Sequence, residues 1–85
     1  MILIYHKDFK RQYQKLSKRI QERFDERILL FQKEEFNPSL NNHSLVGEYN
    51  GYRSINITGD LRAIFKRYKT QVIFTKIGSH SSLYG

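Results

Sequence analysis

From Lys76 to Gly85 the chain reads Lys-Ile-Gly-Ser-His-Ser-Ser-Leu-Tyr-Gly, which sets His80 and Tyr84 four residues apart directly after an apolar, strand-like run. Gly78 lets the backbone turn out of that strand. The serines and the imidazole gain little from burial, so a polar reactive site at a sheet edge is one reading and a solvated tail the other. Cutting RNA without a metal requires a base to take the 2′-hydroxyl proton and an acid to protonate the leaving 5′ oxygen. It also requires cations to balance the charge that builds on phosphorus. His80 suits either proton-transfer role, because an imidazole titrates near neutral pH. His43, in the polar run Asn41-Asn42-His43-Ser44, is the second proton-transfer candidate, against a plain connector residue. Arg62 stands between apolar neighbours in an alternating run, where an unpaired guanidinium is costly. It either faces a phosphate or pairs with Asp60 or Glu48. Tyr84 either stacks on a base or pins the C-terminus to the core. His6 closes the first apolar run and is expected to be structural. The three histidines are far apart and no pair has metal-ligand spacing, so no metal site is expected.

The composition is consistent with that chemistry. Lys and Arg outnumber Asp and Glu by 15 to 8, a formal charge of +7 that favours a polyanionic partner, with nucleic acid first and an acidic protein second. With no cysteine there is no disulfide framework and no thiolate metal site. The apolar start, Met1 to Tyr5, breaks at His6-Lys7-Asp8, too short for a secretory segment or a membrane span, so a cytoplasmic protein is expected. At 85 residues, with six Phe and six Tyr to offset a hydrophobic content of 39%, the chain is expected to form one ordered domain over residues 1–85.

The elements that must position these residues are read from periodicity. Ile2-Leu3-Ile4-Tyr5 predicts a strand buried on both faces inside the sheet. Phe9, Tyr13 and Leu16 recur at helical spacing, which predicts a helix capped by Asp8. Ile20, Phe24, Ile28 and Phe31 form the stripe of a second helix capped by Ser17 and stopped at Asn37-Pro38. With almost no linker between them, the two form a helical hairpin. Strands are then expected at Leu45–Tyr49, Tyr52–Thr58, Leu61–Tyr68 and Val72–Ile77, with Asn50-Gly51 as a two-residue hairpin turn. The plan is α+β: an N-terminal strand, a helical hairpin, then a mostly antiparallel meander of three or four strands. The helices cover one sheet face and the other is left for a ligand. Alternation places Arg62 and Lys66 together on that open face and does not fix the face of Arg53.

Four segments in this order carry a family resemblance: Asn42-His43-Ser44-Leu45 followed by Gly47, Gly51-Tyr52-Arg53-Ser54-Ile55, Gly59-Asp60-Leu61-Arg62-Ala63-Ile64-Phe65, and Ile77 to Gly85. Together they resemble the YafQ branch of the RelE/ParE toxin superfamily over nearly the whole chain. The resemblance implies a RelE-like fold and the toxin of a type II toxin-antitoxin module. Such a toxin is a metal- and cofactor-independent endoribonuclease that cleaves mRNA in the ribosomal 30S A site by 2′-hydroxyl attack and is neutralised by a cognate antitoxin. Position by position, it implies that His80 is the principal catalytic histidine, His43 its upstream partner and Asp60 the acidic residue of the turn. Tyr84 is then the aromatic that contacts the substrate base, and Arg62 the strand arginine on the phosphate. Lys76 stands where the branch often has arginine, keeping the charge without the planar fork. Arg53 and Lys66 complete the expected substrate-binding set. Asn56 stands where a further histidine occurs and Leu61 where an aromatic occurs, departures that bear on the proton network and base preference. If His80 is the acid, either His43 or Asp60 is the base.

Two other functions compete. A ParE-like toxin that inhibits DNA gyrase by binding would be indifferent to His80. A generic RNA-binding domain would bind with strong salt dependence and yield no products. The charge also suits an acidic, disordered antitoxin tail that folds on the exposed sheet, so a monomeric toxin forming a hetero-oligomer with its antitoxin is expected.

Overall fold

The apolar stripes of two helices lie across one face of a five-stranded sheet in the computed structural model, which describes residues 1–84 and, at Tyr84, the backbone alone. The order along the chain is β1 (Ile2–Tyr5), α1 (Lys7–Gln14), α2 (Lys18–Lys33), a 3₁₀ turn (Pro38–Leu40), β2 (His43–Ser44), a second 3₁₀ turn (Gly47–Tyr49), β3 (Arg53–Asn56), β4 (Leu61–Tyr68), β5 (Gln71–Ser79) and α3 (His80–Tyr84). The strands lie in the order β1-β5-β4-β3-β2, with β1 parallel to β5 and every other pair antiparallel. This is the expected α+β plan, a mixed and mostly antiparallel sheet with the helical hairpin on one face.

β1 corrects one expectation: it is an edge strand. Leu3 and Tyr5 pack on the core, whereas Ile2 and Ile4 are 54% and 37% exposed. A short apolar run reads the same at an edge as in the interior, and only the tertiary pairing separates the two. α1 is capped by His6 instead of Asp8: its Nδ1 accepts the Asp8 N–H at 3.1 Å, while the Asp8 carboxylate sits in the first turn, where the helix dipole favours it. Ser17 caps α2 as expected, accepting from Ile20 N–H at 3.3 Å. α2 ends at Lys33, short of the proline. Asn37-Pro38 instead opens the first 3₁₀ turn, with Asn37 Oδ1 accepting from Ser39 N–H.

The core is aromatic. Phe74 sits at its hub, with ring centroids 5.3 Å from Phe65, 5.7 Å from Tyr5, 5.8 Å from Phe9, 5.9 Å from Phe31 and 6.0 Å from Phe24. Each such pair contributes about 0.5–1.5 kcal/mol beyond area burial. One irregularity keeps β5 in phase with this core. The ladder pairs Ile64 with Lys76 but Phe65 with Phe74, so Thr75 is an extra, bulged residue. Without it, Phe74 and Ile77 would face opposite sides; with it, both are buried against the helices. Beyond the end of β1, the Ile77 N–H is taken by Gln12 Oε1 of α1 at 2.9 Å.

The segment Leu45–Tyr49 is not a strand, and Asn50-Gly51 is not a two-residue hairpin turn. β2 stops at Ser44, and the connection to β3 is a loop with Gly47 at φ 69°, a left-handed conformation that glycine adopts without strain and that breaks a strand ladder. Its ends are tied by Leu45 N–H to Tyr52 O at 2.9 Å. The second sheet face is therefore less open than expected. Ile64 lies on that face yet is fully buried, because this loop and α3 meet above the sheet, where Tyr49 Oη donates to Leu83 O at 3.3 Å.

Candidate active site

Cross-strand register organises the face turned away from the helices. One row runs His43, Ser54, Ile64, Lys76 across β2, β3, β4 and β5, and the next runs Asn56, Arg62, Gly78. Paired residues share a face, so His43 and Arg62 arrive on the same surface from strands two apart. α3 delivers the remaining group. A side chain at Gly78 would meet Ser82 Oγ at 2.9 Å and Leu83 Cδ2 at 3.4 Å, so glycine there lets the terminal helix fold back against the sheet. Ser79 starts that helix by accepting from Ser82 N–H at 3.1 Å, and His80 N–H is fixed on Asp60 O at 3.1 Å. The outcome is one cavity of about 210 Å³ lined by His43, Leu45, Val46, Ser54, Arg62 and His80.

The groups in that cavity are differently held. His43 Nδ1 lies 2.8 Å from Asn41 O. A carbonyl only accepts, so in the neutral ring Nδ1 carries the hydrogen and Nε2 keeps its lone pair, the tautomer of a proton acceptor. Asn41 reaches this position through a left-handed backbone at φ 48°. Arg62 Nη1 donates to Thr58 O and Gly59 O, both at 3.1 Å, and to Leu61 O at 3.2 Å. Among the described residues it makes no ion pair with Asp60 or Glu48, so its charge is available to an incoming anion.

The other expected residues are distributed around this centre. Asp60 contributes its backbone carbonyl to the His80 anchor; its exposed carboxylate is not part of the cavity lining. Lys76 shares the row of His43, and Lys66 shares the face, its Nζ 5.4 Å from the centre of the Tyr52 ring. Arg53 is turned to the helix side: it pairs with Phe65 of the core face, its Nε donates to Asn42 Oδ1 at 2.8 Å, and its guanidinium stacks over Phe36. There it braces the residue preceding His43. The Tyr84 side chain lies outside the described residues.

Ser54, Leu45 and Val46 line the cavity without having been singled out in the sequence. For Ser54 alternation gives only that it lies opposite Ile55; its pairing with Ile64 is what puts it on the face of Arg62. A larger cavity of about 380 Å³ opens between β1, α1 and α2, lined by Tyr5, Phe9, Lys10, Tyr13, Gln14, Phe24 and Asp25. It offers no imidazole or guanidinium, so the smaller cavity is the better candidate for proton transfer on a phosphodiester. Among the described residues no three His, Cys, Asp or Glu side chains converge as a metal site, and no helix is long and apolar enough to cross a membrane.

The fold has clear relatives among solved structures. YafQ from E. coli strain BL21(DE3) superposes with a TM-score of 0.83 at 20% identity, covering 98% of this chain and 97% of that one. A YoeB/ParE toxin from Agrobacterium tumefaciens gives 0.78 at 20% identity, covering 94% and 99%. The E. coli DinJ-YafQ toxin-antitoxin complex gives 0.80 at 21% identity, covering 98% and 96%. No curated protein sequence matches. The family model described as "Bacterial toxin of type II toxin-antitoxin system, YafQ" matches residues 2–85. With the match running from β1 through the terminal helix that carries His80, the chain belongs to the YafQ family of type II toxin-antitoxin toxins.

Proposed function

We propose that the chain is an endoribonuclease that cleaves mRNA in the ribosomal A site by attack of a 2′-hydroxyl on the adjacent phosphodiester, using no metal or cofactor. The observation that carries this reading is the convergence of His43, Arg62 and His80 on one cavity from three separate elements. His43 Nε2 takes the 2′-hydroxyl proton. The O2′–P bond forms as the P–O5′ bond breaks, and protonated His80 delivers a proton to O5′, leaving a 2′,3′-cyclic phosphate and a 5′-hydroxyl. Arg62 balances the charge that develops on the equatorial oxygens. His43 is favoured over Asp60 as base because its imidazole lines the cavity and the carboxylate does not. Lys66 and Lys76 attract the strand, and Tyr84 contacts the base. The formal charge of +7 supports docking on ribosomal RNA, and the site of action is the cytoplasm.

The partner is a cognate antitoxin, an acidic chain that masks this surface in a hetero-oligomer. A solved E. coli relative is in complex with its antitoxin. Induction of wild type and His80→Ala in a bacterial host, with growth followed and mRNA 5′ ends mapped, tests the proposal. Wild type should arrest growth and create new internal ends while the variant does neither. Equal arrest with intact mRNA would replace the nuclease by a ParE-like inhibitor that acts by binding.

A further inference from the structure

Ser54 is fully buried, and its Oγ has no hydrogen-bond partner within the protein. On the same face the next residue, Asn56, opposite Arg62, also keeps its Oδ1 buried and unpaired. Among the described residues these are the two such side-chain atoms, and both lie under the candidate site. A buried hydroxyl without a partner opposes folding, so a fold that keeps one at a site is expected to use it there. Ser54 sits cross-strand from His43 and shares its cavity with His43, Arg62 and His80. It thus lies between the group placed to take the 2′ proton and the group placed to hold the phosphate charge.

We propose that Ser54 is a further substrate-contacting residue of the reaction proposed above, its hydroxyl donating a hydrogen bond to a non-bridging oxygen of the cleaved phosphodiester. A phosphodiester oxygen only accepts, and the serine hydroxyl is a donor with nothing else to serve. The hydroxyl is covered in the unbound chain. It lines the same cavity as His43, Arg62 and His80, so the contact forms as the substrate enters that cavity and its lining shifts. The contact holds the phosphorus in line between O2′ and the leaving oxygen, so its loss slows the step without changing which groups move protons.

The test is single-turnover cleavage on purified ribosomes programmed with a short mRNA, comparing wild type with Ser54→Ala and with Ser54→Cys, which keeps the size but donates weakly. Both variants should cleave roughly 10- to 100-fold more slowly. The shape of the pH profile should be kept, and Ser54→Ala should melt no lower than wild type. Replacing a non-bridging oxygen of the cleaved linkage by sulfur should slow wild type and leave Ser54→Ala little changed. Equal cleavage by wild type and Ser54→Ala would overturn the inference, leaving the hydroxyl to an ordered water only. So would a loss that tracks a lower melting temperature and is restored in Ser54→Cys, which would make the role structural. This inference rests on the ribonuclease reading: an inert wild type would overturn that reading and this one with it, whereas an active wild type with an equally active Ser54→Ala would overturn this one alone.

Discussion

The two faces of the sheet are built from alternate residues of the same strands and obey opposite rules. On the helix side, Ile55, Ala63, Phe65 and Ile77 join an aromatic core that excludes water. One residue away along each strand, Ser54, Arg62, Ile64 and Lys76 form a surface with buried but unpaired polar atoms and a guanidinium that serves no ion pair among the described residues. Stability is concentrated on one face, and the other carries groups that a purely structural surface would have paired or removed. A substitution on either face should therefore move one property and spare the other.

The largest effect is expected at the hub of the core. Phe74→Ala should cost about 3–5 kcal/mol, enough to leave the chain largely unfolded at 37 °C, as read by urea denaturation. On the opposite face, His43→Ala should lower cleavage by roughly 10²- to 10⁴-fold with an unfolding midpoint close to that of wild type. A denaturation midpoint that falls with activity would blur the division between the faces.

How far this division was legible in the sequence depends on the residue. His43, Arg62 and His80 stood out because few side chains transfer protons or hold a phosphate near neutrality, and alternation set Arg62 against its apolar neighbours. Alternation does not say which face is covered, so Arg53, of the same residue type, turned out to brace Asn42 from the helix side. β1 read as interior because apolar runs carry no mark of their neighbours. The loop after Ser44 has strand composition in Leu45, Val46 and Tyr49, while Gly47 sets the backbone. The Thr75 bulge was hidden because it changes the period by one residue with no unusual side chain. Ser54 carries no such mark, because a lone serine in a strand is chemically quiet until its missing partner is seen.

Smaller effects sharpen the comparison. Gly78→Ala should push α3 off the site face through Ser82 and Leu83. Cleavage is expected to fall about 10-fold, since small displacements of a proton-transfer group are costly, with little change in unfolding. A loss of stability matching the loss of activity would mean that α3 belongs to the core.

The smallest effect lies on the helix side. Burial, and then the hydrogen bond to Asp25 at 3.1 Å, raise the Tyr13 pKa above its ordinary value of 10.0. A raised folded-state pKa means that the folded protein holds the proton more tightly. This contribution is present in full below about pH 10 and is lost as the pH climbs through the folded value. The melting temperature should decline as the pH rises above about 10, and less steeply in Tyr13→Phe. An identical decline in both would assign it to other groups, Tyr5 first, whose pKa is also raised by burial.

The central claim is that His43, Arg62 and His80 carry out 2′-hydroxyl attack. Its most direct test replaces the ribose on the 5′ side of the cleaved linkage by deoxyribose in the mRNA of a programmed ribosome. Cutting at that linkage should be abolished, and the all-ribose control should yield 2′,3′-cyclic phosphate and 5′-hydroxyl ends. Cleavage of the deoxy-substituted linkage, or 5′-phosphate ends in the control, would contradict that claim.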